Sequence, residues 1–217
     1  TLLANGFRLP LREIAVNGQT LLLDATPITD AGGLLTLYQP NRIGEQLSAL
    51  HHDHAEGFDA LLGESPVIRT LKTRAQRVAA LDAPLLIQGE TGTGKELVAR
   101  ACHAISARSS APFLALNCAA LPENLAESEL FGYAPGAFTG AQRGGKPGLM
   151  ELANQGTVFL DEIGEMSPYL QAKLLRFLND GSFRRVGGDR EVKVNVRILS
   201  ATHRNLEKMV SEGTFRE

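Results

Sequence analysis

Residues 89–95 read GETGTGK, and Glu96 follows. Gly89, Gly92 and Gly94 let the backbone curl until its N–H groups point inward, and with the start of a helix those donors make a cradle for an anion. Lys95 adds a positive charge where the β- and γ-phosphates of a nucleotide would lie. The expected nucleotide-binding residues are therefore Gly89, Glu90, Thr91, Gly92, Thr93, Gly94, Lys95, Glu96 and Leu97. A glycine-rich turn without a ligand is the plain alternative. The complete spacing speaks against it, with an apolar run before (PLLIQ, 84–88) and a helical segment after. One residue departs from the general pattern. Glu96 stands where a serine or threonine would hold magnesium, and a carboxylate there could reach the metal or a bound water instead.

About 65 residues further on, TVFLDE (157–162) is an apolar run ending in two carboxylates. Strand ends in a parallel sheet face the ligand crevice. Asp161 is expected to hold magnesium, directly or through water, and Glu162 to polarise the attacking water as a base. Hydrolysis of a phosphate bond needs both jobs. Two acids after a strand are weakly specific alone; behind a phosphate loop in an alternating pattern they are strongly so.

Positioning these groups takes strands and helices in alternation, and the chain from Gly63 supplies it. Ser65-Pro66 predicts a helix start, with serine as cap and proline first, and a helix running to about Leu81. Strands are expected at 84–88, 112–117 and 157–161 and within 192–202, and helices at 94–105, 122–130, 168–179 and 204–212. That order predicts an α/β fold, a mostly parallel sheet with helices on both faces. Upstream the texture differs. EIAVNGQTLLLDAT (13–26) places two β-prone runs around Asn17-Gly18, a hairpin signal, and LLTLYQ (34–39) is a third run. Ile43, Leu47 and Leu50 carry a helical pattern. The expected organisation is the end of a small α+β domain over 1–40, a linker helix over 41–60 and the main domain over 61–217. His51, His52 and His54 invite a metal site, but no cysteine or further histidine lies nearby, and a solvated linker is the expected reading.

Of 217 residues, 43% are hydrophobic and 21% charged, ordinary for a globular chain with a sizeable core. A net charge of −2 excludes a general polyanion binder. Residues 1–60 are acidic on balance, with only Arg8, Arg12 and Arg42 as basic residues, and neither part has the charge of a duplex-binding surface. Cys102 and Cys118 form no Cys-x-x-Cys pair, so reduced, buried thiols of a cytoplasmic protein are expected. No apolar run is long enough to span a bilayer, no basic-then-apolar leader begins the chain, and no membrane partner is expected. The chain opens in mid-pattern and stops after a charged segment, as a piece of a longer protein would.

Four segments together resemble one family. GETGTGKE (89–96), ESELFGYAPGAFTGA (127–141), TVFLDEIGEM (157–166) and LQAKLLRFL (170–178) are similar to the sigma-54-dependent bacterial enhancer-binding proteins, which are AAA+ ATPases. The likeness runs from about Gly63 to Glu217, and Glu96 is usual in that family. Within it, the chain is most similar to the TyrR/PhhR regulators of aromatic amino acid metabolism. The resemblance implies a P-loop AAA+ core that binds ATP and magnesium. It implies that Gly136, Ala137, Phe138, Thr139, Gly140 and Ala141 top a mobile loop touching the sigma factor. Their small residues permit a tight, bendable hairpin, and Phe138 offers an aromatic anchor. It assigns Asn117 to restraining the catalytic Glu162 until the nucleotide state changes. Thr202 becomes the γ-phosphate sensor, with His203 where the family often has asparagine. Arg216 becomes an arginine finger supplied in trans. Residues 181–190 match a second loop that moves with the first, in which Arg184 and Arg185 are alternatively just solvated. Residues 1–40 become the C-terminal part of a PAS-like sensory domain.

The function this implies is an ATPase that assembles from dimers to a hexameric ring and remodels the sigma-54 RNA polymerase holoenzyme. A helical lid and a helix-turn-helix, which would contact promoter or enhancer DNA, are expected in the natural protein outside this stretch. An aromatic amino acid is the expected effector. Two other classes compete. One is a ligand-responsive DNA-binding repressor that uses the fold as a nucleotide-binding module; intact Glu162 and the full GAFTGA segment argue against it. The other is a general AAA+ unfoldase or helicase loader, which would want a different pore loop.

Overall fold

The structure, a computed structural model, describes three strands within residues 9–38 by their backbone, and residues 57–216 in full. The chain divides into two compact units, Thr1–Leu50 and His51–Glu217. In the first, β1 (Leu9–Val16), β2 (Gln19–Thr29) and β3 (Gly32–Tyr38) form an antiparallel sheet in chain order. Val16 pairs with Gln19, the register that a two-residue Asn-Gly connection predicts. The register slips between Pro27 and Thr29, where proline has no N–H to give the ladder. Of the linker helix expected over 41–60, residues 41–56, with the three histidines, lie outside the described residues, and the described end is not α-helical. Residues Phe58–Ala60 form a 3-10 turn, and Phe58 is buried in the core of the second unit.

The second unit begins with α1 (Pro66–Ala79), capped by Ser65 Oγ accepting from the Ile68 N–H at 3.3 Å. Then follow β4 (Leu85–Gln88), α2 (Lys95–Ala104), β5 (Phe113–Asn117), α3 (Glu123–Phe131) and a single turn α4 (Leu149–Leu152). Next come β6 (Thr157–Asp161), α5 (Pro168–Asp180), β7 (Ser182–Arg184), β8 (Glu191–Lys193), β9 (Arg197–Thr202) and α6 (Leu206–Ser211). The apolar run over 192–202 serves two elements. Its start pairs antiparallel with β7, and only Arg197–Thr202 enters the main sheet.

That sheet is parallel, in the order β4-β9-β6-β5. Alternation along the strands feeds two cores. Leu114, Leu116, Val158, Leu160 and Ile198 pack with α3, α4 and α5, whereas Phe159, Leu199 and Ala201 pack with α1 and α2. Helices on both faces explain why β6 is buried from Thr157 to Leu160, with three apolar residues in succession. At the strand starts, Arg108 acts as a staple. It pairs with Asp82 through two bonds of 2.7 and 2.6 Å and donates to Gly156 O and to Asn195 O and Oδ1. Those residues precede β4, β6 and β9, so one guanidinium ties three strand starts together. Cys102 and Cys118 are free and buried; burial pushes both thiols up, Cys118 to about 12. Among the described residues no helix is long and apolar enough to cross a membrane.

Candidate functional site

Strand register sets the geometry of the site. Gln88 pairs with Thr202 and Asn117 with Asp161, so all four strands end along one edge. Just beyond, the Gly89 N–H donates to Thr202 O at 3.2 Å and the Cys118 N–H to Asp161 O at 2.9 Å. The phosphate loop leaves from one side of β9 and the acid pair from the other.

Gly92 and Gly94 have φ of +81° and +83°, a region that side chains rarely adopt. α2 starts at Gly94 with no side-chain cap, so its first-turn N–H groups are free to meet an anion. The Thr93 hydroxyl ties the loop to Glu90 O at 2.8 Å. Lys95 is only 8% exposed; its ammonium donates to Gly89 O at 3.0 Å and Glu90 O at 2.9 Å and stands 3.9 Å from Glu162 Oε1. A buried cation ringed by a glycine loop fits nucleotide phosphates. Thr91 is exposed on the loop, and Leu97 adds apolar surface on the first turn of α2.

Glu162 has φ +51°, a left-handed conformation that costs a non-glycine residue on the order of 1 kcal/mol. Its N–H donates to Asp161 Oδ1 at 3.0 Å. Glu162 Oε2 accepts from His203 Nδ1 at 2.7 Å and from the His203 backbone N–H at 3.3 Å, leaving Oε1 on the Lys95 side. Burial pushes the Glu162 carboxyl up. The His203 hydrogen bonds and the charges of His203 and Lys95 outweigh that and hold it below the usual carboxylate range. Asp161 goes the other way. Burial, with the charges of Glu162 and Glu96, raises it despite the Glu162 N–H and Lys95. No cluster of three or more metal-ligating side chains gathers among the described residues; Asp161 is the carboxylate that would hold a magnesium ion, whose charge would offset its crowding with Glu162 and Glu96.

Not every expected site residue takes its expected place. Glu96 pairs with Arg100 one turn along α2, at 3.0 Å to Nε, so its part in holding a metal competes with that ion pair. Asn117 Oδ1 accepts from the Ala119 N–H at 2.9 Å, and the side chain hydrogen-bonded to Glu162 is that of His203. Thr202 is fully buried, and its hydroxyl accepts from the Arg204 N–H at 3.0 Å, so it shapes the turn that presents His203. The only sequence signal for His203 was that it stands where asparagine is common. Arg216 has an exposed side chain, and its N–H donates to Gln171 Oε1 at 2.9 Å.

The GAFTGA segment forms two consecutive turns and not a stranded hairpin. The Ala137 N–H bonds Ala134 O at 3.2 Å and the Ala141 N–H bonds Phe138 O at 3.0 Å, with Gly136 and Gly140 at φ +72° and +94°. Thr139 is exposed at the tip. Phe138 is 48% exposed, its ring edge-on to Tyr133 at 5.0 Å. The second loop reaches this segment. The Ala134 N–H donates to Val186 O at 2.9 Å, and a Cβ on Gly187 would lie 2.7 Å from that of Ala137. Arg184 is exposed, but Arg185 is not merely solvated: it grips both oxygens of Glu151 at 2.7 and 2.6 Å.

A P-loop, an acid pair at the neighbouring strand end and a parallel sheet between helices define a P-loop nucleoside triphosphatase domain of the AAA+ class. The family model described as Sigma-54 interaction domain matches residues 61–217, and the chain belongs to that family. It is 49% identical over 216 residues to the HTH-type transcriptional regulatory protein TyrR of Enterobacter agglomerans, covering 95% of this chain and 41% of that protein. It is 47% identical over 205 residues to a Nif-specific regulatory protein of Azorhizobium caulinodans, covering 92% of this chain and 33% of that one. The chain thus spans less than half the length of these relatives. Among solved structures, NtrX from Brucella abortus in complex with ATP matches with a TM-score of 0.65 at 44% identity, over 72% of this chain and 33% of that one.

Proposed function

We propose that this domain is the motor of a transcription activator. It binds ATP with magnesium, hydrolyses it, and uses the cycle to drive the 136–141 loop against RNA polymerase carrying sigma-54. The observation that carries the reading is Glu162, held at the strand ends between Lys95 and His203. Lys95 and the loop N–H groups bind phosphates. Asp161 takes the metal side, where magnesium, when bound, neutralises phosphate charge. Glu162 uses Oε1 to accept the proton of the attacking water while His203 keeps Oε2 fixed. The water oxygen bonds to the γ-phosphorus, the bridge to ADP breaks, and inorganic phosphate leaves.

Arg216 completes the site of a neighbouring subunit, which requires a ring, up to a hexamer. The path from site to loop is α5, which starts after the acid pair and ends at β7; the β7–β8 connection then abuts Ala137 through Gly187. DNA contact through a helix-turn-helix elsewhere in a longer protein is inferred from relatives described as HTH-type transcriptional regulatory proteins, and regulation by an aromatic amino acid in the cytoplasm from the resemblance to TyrR-type regulators alone. Residues 1–40 are read as PAS-like, in keeping with three antiparallel strands.

The test is ATP hydrolysis by full-length protein against its concentration, beside Glu162→Ala. Activity should rise steeply with concentration and vanish in the variant while ATP still binds. Flat, negligible hydrolysis in both, with candidate effectors and DNA added, would leave a nucleotide-binding regulator and sink the motor reading.

A further inference from the structure

Gln171 is used by no step of the proposed cycle. It lies on the first turn of α5 and is 5% exposed, yet both ends of its amide are committed. Nε2 donates to Met166 O at 2.8 Å and to Thr214 O at 3.4 Å, and Oε1 accepts from the Arg216 N–H at 2.9 Å. Two of these partners belong to the segment that carries Arg216. The third ends the 3-10 turn Ile163–Glu165, which starts from Glu162 and is closed by the Glu165 N–H on Glu162 O at 2.9 Å. A short path of bonds therefore runs from Glu162 through Met166 and Gln171 to the backbone of Arg216. The other hydrogen bonds shown for residues 214 and 215 go to Met209 O in α6, and Phe215 packs on the core, so Gln171 supplies the hydrogen-bonded link to the nucleotide side.

Its neighbours Leu170 and Leu174 face the core, and an apolar residue of the same length would fill the same space. A buried amide is costly unless satisfied, and here it is satisfied by backbone groups of two separate segments. That arrangement fixes their relative position more than it adds to packing.

We propose that Gln171 is a positioning residue that couples a subunit's own nucleotide site to the arginine it offers its neighbour. A shift of Glu162 with nucleotide state moves Met166 O, and Gln171 carries the movement to Arg216. The inference rests on the reading of Arg216 as a finger acting in trans.

The experiment mixes two full-length chains. One carries Glu162→Gln, which keeps its finger but does not hydrolyse; the other carries Arg216→Ala, which keeps its site but offers no finger. Activity should appear on mixing. Gln171→Met is then added to one chain at a time. On the finger-donating chain it should lower the mixed activity about tenfold or more, because misplacing a catalytic group by an ångström costs that much. On the site-donating chain the change should stay within about twofold. Gln171→Glu, which keeps the acceptor for the Arg216 N–H, should fall between parent and Gln171→Met in the finger-donating arm. Equal losses in both arms indicate a purely structural role and overturn the inference, as does no loss in either. If the parent pair gains nothing on mixing, or Arg216→Ala alone keeps full hydrolysis, the finger reading has failed and takes the inference with it. That outcome is read before Gln171 is altered.

Discussion

His203 Nδ1 lies 2.7 Å from Glu162 Oε2, and the His203 backbone N–H reaches the same oxygen. One oxygen of the Glu162 carboxylate is thereby pinned and the other is aimed toward Lys95. His203→Ala should lower kcat roughly tenfold, the scale of losing one well-placed hydrogen bond, and leave ATP affinity nearly unchanged. Glu162 acts as a base only when ionised, and His203 helps keep its pKa low. Without His203, burial pushes that pKa up, so the acid limb of the kcat–pH profile should move to higher pH. An unmoved acid limb would show that His203 does not govern this carboxylate.

Glu162→Gln keeps the shape and removes the base. kcat should drop by about 10²–10⁴ while fluorescent ATP analogues still bind. Lys95→Ala should differ by losing nucleotide binding itself, because the one buried ammonium inside the loop is gone. Measuring Kd and kcat for both variants separates the two roles; equal Kd values would contradict the assignment.

Asp161 carries a raised pKa in the folded state. Its ionised form therefore costs stability at neutral pH, and that cost fades as pH falls through the raised value. Asp161→Asn removes the cost and can still accept the Glu162 N–H. Calorimetry at pH 7 without metal should give a higher Tm for the variant, while magnesium-dependent hydrolysis is lost. A lower Tm would argue that the carboxylates are not crowded.

Gly187 has φ +67°, and an added Cβ would fall 2.7 Å from the Ala137 Cβ. Gly187→Ala should cost about 1 kcal/mol or more in local strain and push the two loops apart. Hydrolysis should persist within about threefold, since no nucleotide group moves. Crosslinking of the 136–141 loop to sigma-54 polymerase should fall sharply. Unchanged crosslinking would place the coupling between the loops elsewhere.

The residues proposed to bind and cleave were legible in the chain because their signals are local. A glycine loop, a lysine and a following helix act within one turn of backbone, and an apolar run ending in two acids names its own strand end. The same holds for Ser65-Pro66 as a helix start and for Asn17-Gly18 between two strands. Even the alternation that makes an α/β sheet is a property of neighbouring residues.

The tertiary structure alone decided who meets whom. β9 is the last strand of the sheet in sequence yet lies between β4 and β6, which brings His203 to Glu162 across 41 positions, while Asn117 Oδ1 accepts from the Ala119 N–H. Gln171 meets Arg216 across 45 positions, and the run over 192–202 divides between a hairpin and the main sheet. Strand order and register follow from covering both faces of the sheet at once. That condition depends on every helix in the domain, and no local pattern of side chains encodes it.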